Sequence, residues 1–214
     1  MNGRMLRAAA IIGGLLLPAA ARAQVERLAG RLDDTARSAV TAIVDSVGAA
    51  GVPADPLVNK ALEGASKGAS DARIVAAVRG LAGDLARARA ALGRSASEPE
   101  LVAGAAALRA GASAAFLERL RDRAPRSSLV VPLAVMADLV SSGVPADTAA
   151  QSVLALVQAG SREADRVAFR QSVERDVALG APAGGTAAAL VTARDGAPGT
   201  TGITPSPPRP PRKP

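Results

Sequence analysis

GVPADPLVNKALEGASKGAS, residues 51–70, carries signals that the chain uses again. Gly51-Val52-Pro53-Ala54-Asp55 returns letter for letter as Gly143-Val144-Pro145-Ala146-Asp147. A second glycine follows 17 residues on in both places, Gly68 and Gly160, and a serine follows each, Ser70 and Ser161. Asp55-Pro56 reads as a helix start, with Asp as N-cap and Pro at the first helical position. Leu57, Val58, Ala61, Leu62 and Ala65 fall on one side of that helix, Gly68 stops it, and Ser70 caps a partner helix. The stretch therefore predicts one helical hairpin, written twice.

The partner helix runs to Leu92 with a seam of Ile74, Val78, Leu81, Leu85, Ala88 and Leu92, in steps of three and four. A seam that long predicts packing on more than one neighbour. Ahead of the hairpin, Val25, Leu28, Leu32, Ala36, Val40, Ile43 and Val47 mark one face of a helix that Gly30 is placed to divide. Asp33-Asp34 reads as a helix start. Ser97-Glu98-Pro99-Glu100 has the Ser cap and the Glu three residues on that define a capping box. Gly111-Ala112-Ser113 repeats the turn of Gly68-Ala69-Ser70, and Phe116, Leu117 and Leu120 continue inward. Pro125 breaks the chain before a helix over residues 129–140, with Pro132 in its first turn. After the second copy comes a helix with Val167, Val173 and Val177. Gly180-Ala181-Pro182-Ala183 opens a last, weaker copy.

Starts near residues 51, 97 and 143, followed by the weaker one near 180, give a period of about 46, in the range of paired-helix solenoid repeats. The expected fold is all-α, with antiparallel helical hairpins stacked as a short solenoid-like array over residues 24–195. The alternative is an irregular helical bundle, because the middle repeats match poorly beyond their turns. No strand is evident: the only candidate, Leu129-Val130-Val131, abuts Pro132.

Residues 1–23 read as a secretory signal. Arg4 and Arg7 precede an apolar run over residues 8–17, Pro18 breaks it, and Ala21-Arg22-Ala23 is a small-x-small site that places cleavage between Ala23 and Gln24. The apolar run is shorter than the roughly 20 residues a spanning helix needs, so the mature chain is expected to be exported and not integral to a membrane. Residues 196–214 hold seven prolines and no apolar period, and read as a disordered, basic tail that samples polyproline II.

Composition narrows function. Apolar residues make up 49% of this alanine-rich chain, and the only aromatics are Phe116 and Phe169. There is no Cys, His, Trp or Tyr, which removes disulfides, thiolate chemistry and the side chain that titrates near neutrality. The net charge of +7 sits at the ends. Residues 1–23 hold three arginines and no acid, and Arg194, Arg209, Arg212 and Lys213 stand against Asp195 at the other end. The body between is nearly neutral, which argues against a nucleic-acid binder.

Asn59, Lys60, Glu63 and Lys67 form a dense polar face, read either as a docking surface or as an ordinary solvated helix face. Arg209, Arg212 and Lys213 fit a proline-rich recognition segment, a spacer, or a weak contact with anionic envelope polymers. Ser66 and Lys67 adjoin, but neighbouring helical positions do not face each other. No catalytic residue, cofactor or metal ligand stands out. The reading is an exported, non-catalytic helical scaffold for an unknown protein partner. The alternatives are an envelope or polyanion tether acting through the tail and, further off, a carboxylate-based hydrolase.

Overall fold

The computed structural model describes residues 25–195, so the expected signal segment, the expected cleavage between Ala23 and Gln24, and the tail with Arg209, Arg212 and Lys213 lie outside the described residues. All the regular structure described is helical: α1 Asp34–Gly48, α2 Asp55–Ser66, α3 Asp71–Leu92, α4 Glu98–Ala110, α5 Ala114–Arg123, α6 Val130–Ser141, α7 Ala146–Gln158, α8 Glu163–Ala178 and α9 Ala183–Asp195. The contacts group into two compact units, Met1–Ala105 and Ala106–Pro214, whose boundary falls inside α4.

The glycine signals become one recurrent turn. Gly51, Gly68, Gly111, Gly143, Gly160 and Gly180 all have positive φ, between 67° and 112°. Behind each, the next residue's N–H reaches back five residues: Val52 to Val47, Ala69 to Gly64, Ala112 to Ala107, Val144 to Leu139, Ser161 to Leu156 and Ala181 to Asp176, at 2.9–3.3 Å. This closure satisfies helix-end carbonyls that have no partner within the helix. It needs a left-handed residue, which glycine adopts without a Cβ penalty. The residue after the glycine is buried at Val52, Ala112 and Val144.

Helix starts follow local chemistry as well. Asp33 caps α1 by accepting from the Ala36 N–H at 2.6 Å. That bond, ahead of all other causes, holds the Asp33 carboxyl below its usual value. Ser97 and Glu100 form the expected box, with the Ser97 N–H donating to Glu100 Oε2 at 2.8 Å. Ser113 accepts from the Phe116 N–H at 3.1 Å. Two starts differ from expectation. Ser70 occupies the N-cap of α3 without a side-chain bond. Asp55 is the first helical residue of α2 instead of its cap; Ala54 takes the cap position and makes no side-chain bond. In the second copy Pro145 is the cap and the helix starts at Ala146, one residue earlier relative to the shared pentapeptide. The second copy has Thr148 where the first has Pro56, which has no N–H to donate.

In the first unit α3 packs on both α1 and α2, as its long seam predicts. Two bonds at opposite ends make α1 and α3 parallel. The Asp33 N–H donates to Asp71 Oδ2 at 3.1 Å, where both helices begin. Arg89 Nη2 donates to the Gly51 carbonyl at 2.7 Å, where both end. The same guanidinium's Nη1 donates to the carbonyls of Gly93, Arg94 and Ala96 at 3.0–3.1 Å. One arginine thus ties the α1–α2 turn to the α3–α4 turn. The core is aliphatic, with Leu28, Val40, Leu57, Val58, Val78 and Leu85 fully enclosed. Of the predicted seam only Leu81 is half-buried rather than buried.

The second unit is held differently. α7 and α8 are the second copy of the hairpin, yet they pack chiefly on α6 and α9, and α5 lies against α7. α7 buries Ala149, Ser152, Val153, Leu154, Leu156 and Val157 over a broad face, whereas α2 buries only Leu57, Val58 and Ala61. A broad apolar face serves several neighbours, a narrow stripe fewer. Both phenylalanines sit here, Phe116 at 0% and Phe169 at 2% exposure, so this half does have aromatic anchors. The α8 face is Arg166, Phe169 and Val173, while Val167 and Val177 are only half-buried. Phe169 outweighs a valine in buried area and sets that rotation.

Gly64 marks the closest approach of α2 and α3, since an added Cβ would lie 2.7 Å from Ile74 Cγ1. Ile74 is buried and β-branched, so it cannot swing aside. Gly64→Ala is expected to destabilise by about 1–3 kcal/mol, overriding its helix-propensity gain. Gly80→Ala and Gly83→Ala, with nothing within 4 Å of the new Cβ, should stabilise by about 0.5–1 kcal/mol. Urea unfolding measures all three. Arg89→Ala strands four carbonyls and should cost about 2–4 kcal/mol in the same assay.

Candidate functional site

The polar face of α2 assembles as the spacing predicts, and it satisfies itself. Glu63 is bridged from both sides: Lys60 Nζ donates to Oε2 at 2.9 Å and Lys67 Nζ donates to Oε1. Lys67 first, then Lys60, pulls the Glu63 carboxyl down to about 2. Asn59 stands apart from this triad. Its Oδ1 accepts from Arg27 Nη2 at 3.2 Å, and Arg27 Nη1 lies 3.7 Å from Asp55 Oδ1. Arg27 thus joins the face from a segment that the helical periodicity places elsewhere. Asn59, Glu63 and Lys67 are exposed and Lys60 is half-buried, which suits a surface that presents a fixed charge pattern.

A second feature escapes helical periodicity. A groove of about 370 Å³ opens in the Ala106–Pro214 unit between the end of α5 and the start of α8. Its polar lining is Arg123, Ser127, Ser161, Arg162, Glu163 and Arg166. Arg166 is only 8% exposed. Its Nε donates to Ser161 Oγ at 3.2 Å and its Nη2 to the Ser161 carbonyl, and no carboxylate among the described residues lies within bridging distance. Arg162 is exposed and reaches Asp165 at 3.6 Å. Arg123 is exposed and makes no hydrogen bond or ion pair among the described residues. A polar-face reading of α8 puts Arg166 in solvent. The spacing of Arg166, Phe169 and Val173, positions i, i+3 and i+7, is the signal that places it inward.

Two other partly or wholly buried charges are paired. Asp84 meets Arg87 at 2.6 Å, and Arg170 bridges α8 to α6 through Asp138 at 2.7 Å. Among the described residues no group of three or more carboxylates is placed to hold a metal ion. No described helix is long and apolar enough to cross a membrane. The chain matches no protein-family model, no curated protein and no solved structure.

The Glu63 triad gives a pH signature. Its carboxyl is lowered on folding from 4.5 to about 2, so its contribution to stability is complete above 4.5 and is lost as pH falls toward 2. Solvent screening keeps the effect small. The melting-temperature gap between wild type and Glu63→Gln should be present at neutral pH, close between pH 4.5 and 2, and shrink with added salt. The Glu63 carboxyl carbon should titrate by NMR with a midpoint near 2.

Proposed function

We propose that the chain is an exported, non-catalytic helical scaffold that binds another protein, with its basic proline-rich end as an auxiliary tether. The observation that carries this reading is the self-paired face of α2. Lys60, Glu63 and Lys67 hold one another, and Asn59 and Asp55 are held by Arg27. Charges fixed by their neighbours lose little freedom when a partner arrives, and complementary potentials then set specificity and encounter rate. The same pairing ties Glu63 to two ammonium groups, in the state least suited to general acid work. The turns add to this reading. Helix ends closed onto their own backbone leave the helix faces as the surface on offer.

Affinity capture from the envelope fraction, with the full mature chain as bait, tests the proposal. A protein retained by the wild type should fall about tenfold or more with Lys60→Glu/Lys67→Glu, because the face then opposes its partner's potential. Equal retention by both baits, or none above background, contradicts it.

A further inference from the structure

The groove between α5 and α8 is a feature separate from the α2 face. Arg166 is a buried cation whose only acceptors among the described residues are the carbonyl and hydroxyl of Ser161. Buried charges are ordinarily paired, because taking an ion out of water unpaired is costly. Nη1 has no acceptor among the described residues, although the side chain lines the groove. A second cation, Arg123, lines the same space with no hydrogen bond or ion pair among the described residues.

The surroundings suit an oxyanion. Ser127 and Ser161 add hydroxyls to the lining, and the N-terminus of α8 begins there, at Arg162 and Glu163. Helix N-termini favour negative charge. Glu163 is the one carboxylate of the lining and is exposed at its edge. Asp165 offsets Arg162, which leaves Arg123 and Arg166 as the two lining guanidiniums with no carboxylate partner among the described residues. Two planar forks match the geometry and the charge of a phosphate monoester, which carries about −1.5 to −2 at neutral pH. The volume is at the small end for a ligand site. We infer that this groove binds a phosphate monoester, with Arg166 as the buried anchor and Arg123 as the second clamp.

The test uses the full mature chain, with glycerol phosphate in solution and with vesicles containing phosphatidic acid. Amide NMR shifts on adding glycerol phosphate should saturate and centre on Gly160, Ser161, Arg162 and Ser127. Arg123→Glu changes an exposed residue, so folding should be preserved. It should weaken this binding about tenfold or more. Arg126→Glu, an exposed neighbour outside the groove, should leave it unchanged. Vesicle retention that Arg123→Glu abolishes assigns the phosphate to a lipid headgroup; saturable binding of the soluble ester alone assigns it to a small molecule. Three results overturn the inference: no saturable binding of either probe, shifts confined to the basic C-terminal residues, or equal loss with Arg123→Glu and Arg126→Glu.

Discussion

A backbone bond that reaches back five residues past a left-handed glycine sets the layout of this chain. It closes six helix ends, at Gly51, Gly68, Gly111, Gly143, Gly160 and Gly180. Each closure ends one helix and aims the chain into the next within a few residues, so helix lengths are set by glycine spacing. An alanine-rich chain has weak side-chain reasons to stop a helix anywhere in particular. The glycines supply them.

The turn does not dictate what each helix packs against. Identical pentapeptides and equal glycine spacing lead into α2 and α7, but α2 pairs with its successor α3 while α7 leans on α5, α6 and α9. The difference lies in the residues between the turns. α2 buries a narrow stripe and has Gly64 where it meets Ile74, so two backbones approach closely. α7 carries leucine and valine across a broad face. Local signals fix where helices begin and end; side-chain volume then chooses their neighbours.

That division explains how much was legible in the sequence. Turns, the Asp33 and Ser97–Glu100 starts and the Lys60–Glu63–Lys67 triad depend on residues at most five apart, and pattern reading finds them. Arg89 was not legible, because its acceptor at Gly51 lies 38 residues away. Nor was the groove, because Arg166 counts as solvent-facing in any apolar pattern until Phe169 turns α8 inward. The start of α2 slipped by one residue for a subtler reason. Asp and Pro both suit helix starts, and which one sits inside the helix depends on the turn before them.

The glycine closure itself is most directly tested at Gly68, where φ is +67° and an added Cβ meets nothing within 4 Å, so sterics with neighbours play no part. Measured by urea unfolding, Gly68→Ala should lose about 1 kcal/mol, and Gly68→Asn should lose less because asparagine tolerates the left-handed region. Alanine that leaves stability unchanged or raised would contradict a left-handed turn at this position, and with it the account of how the chain is divided.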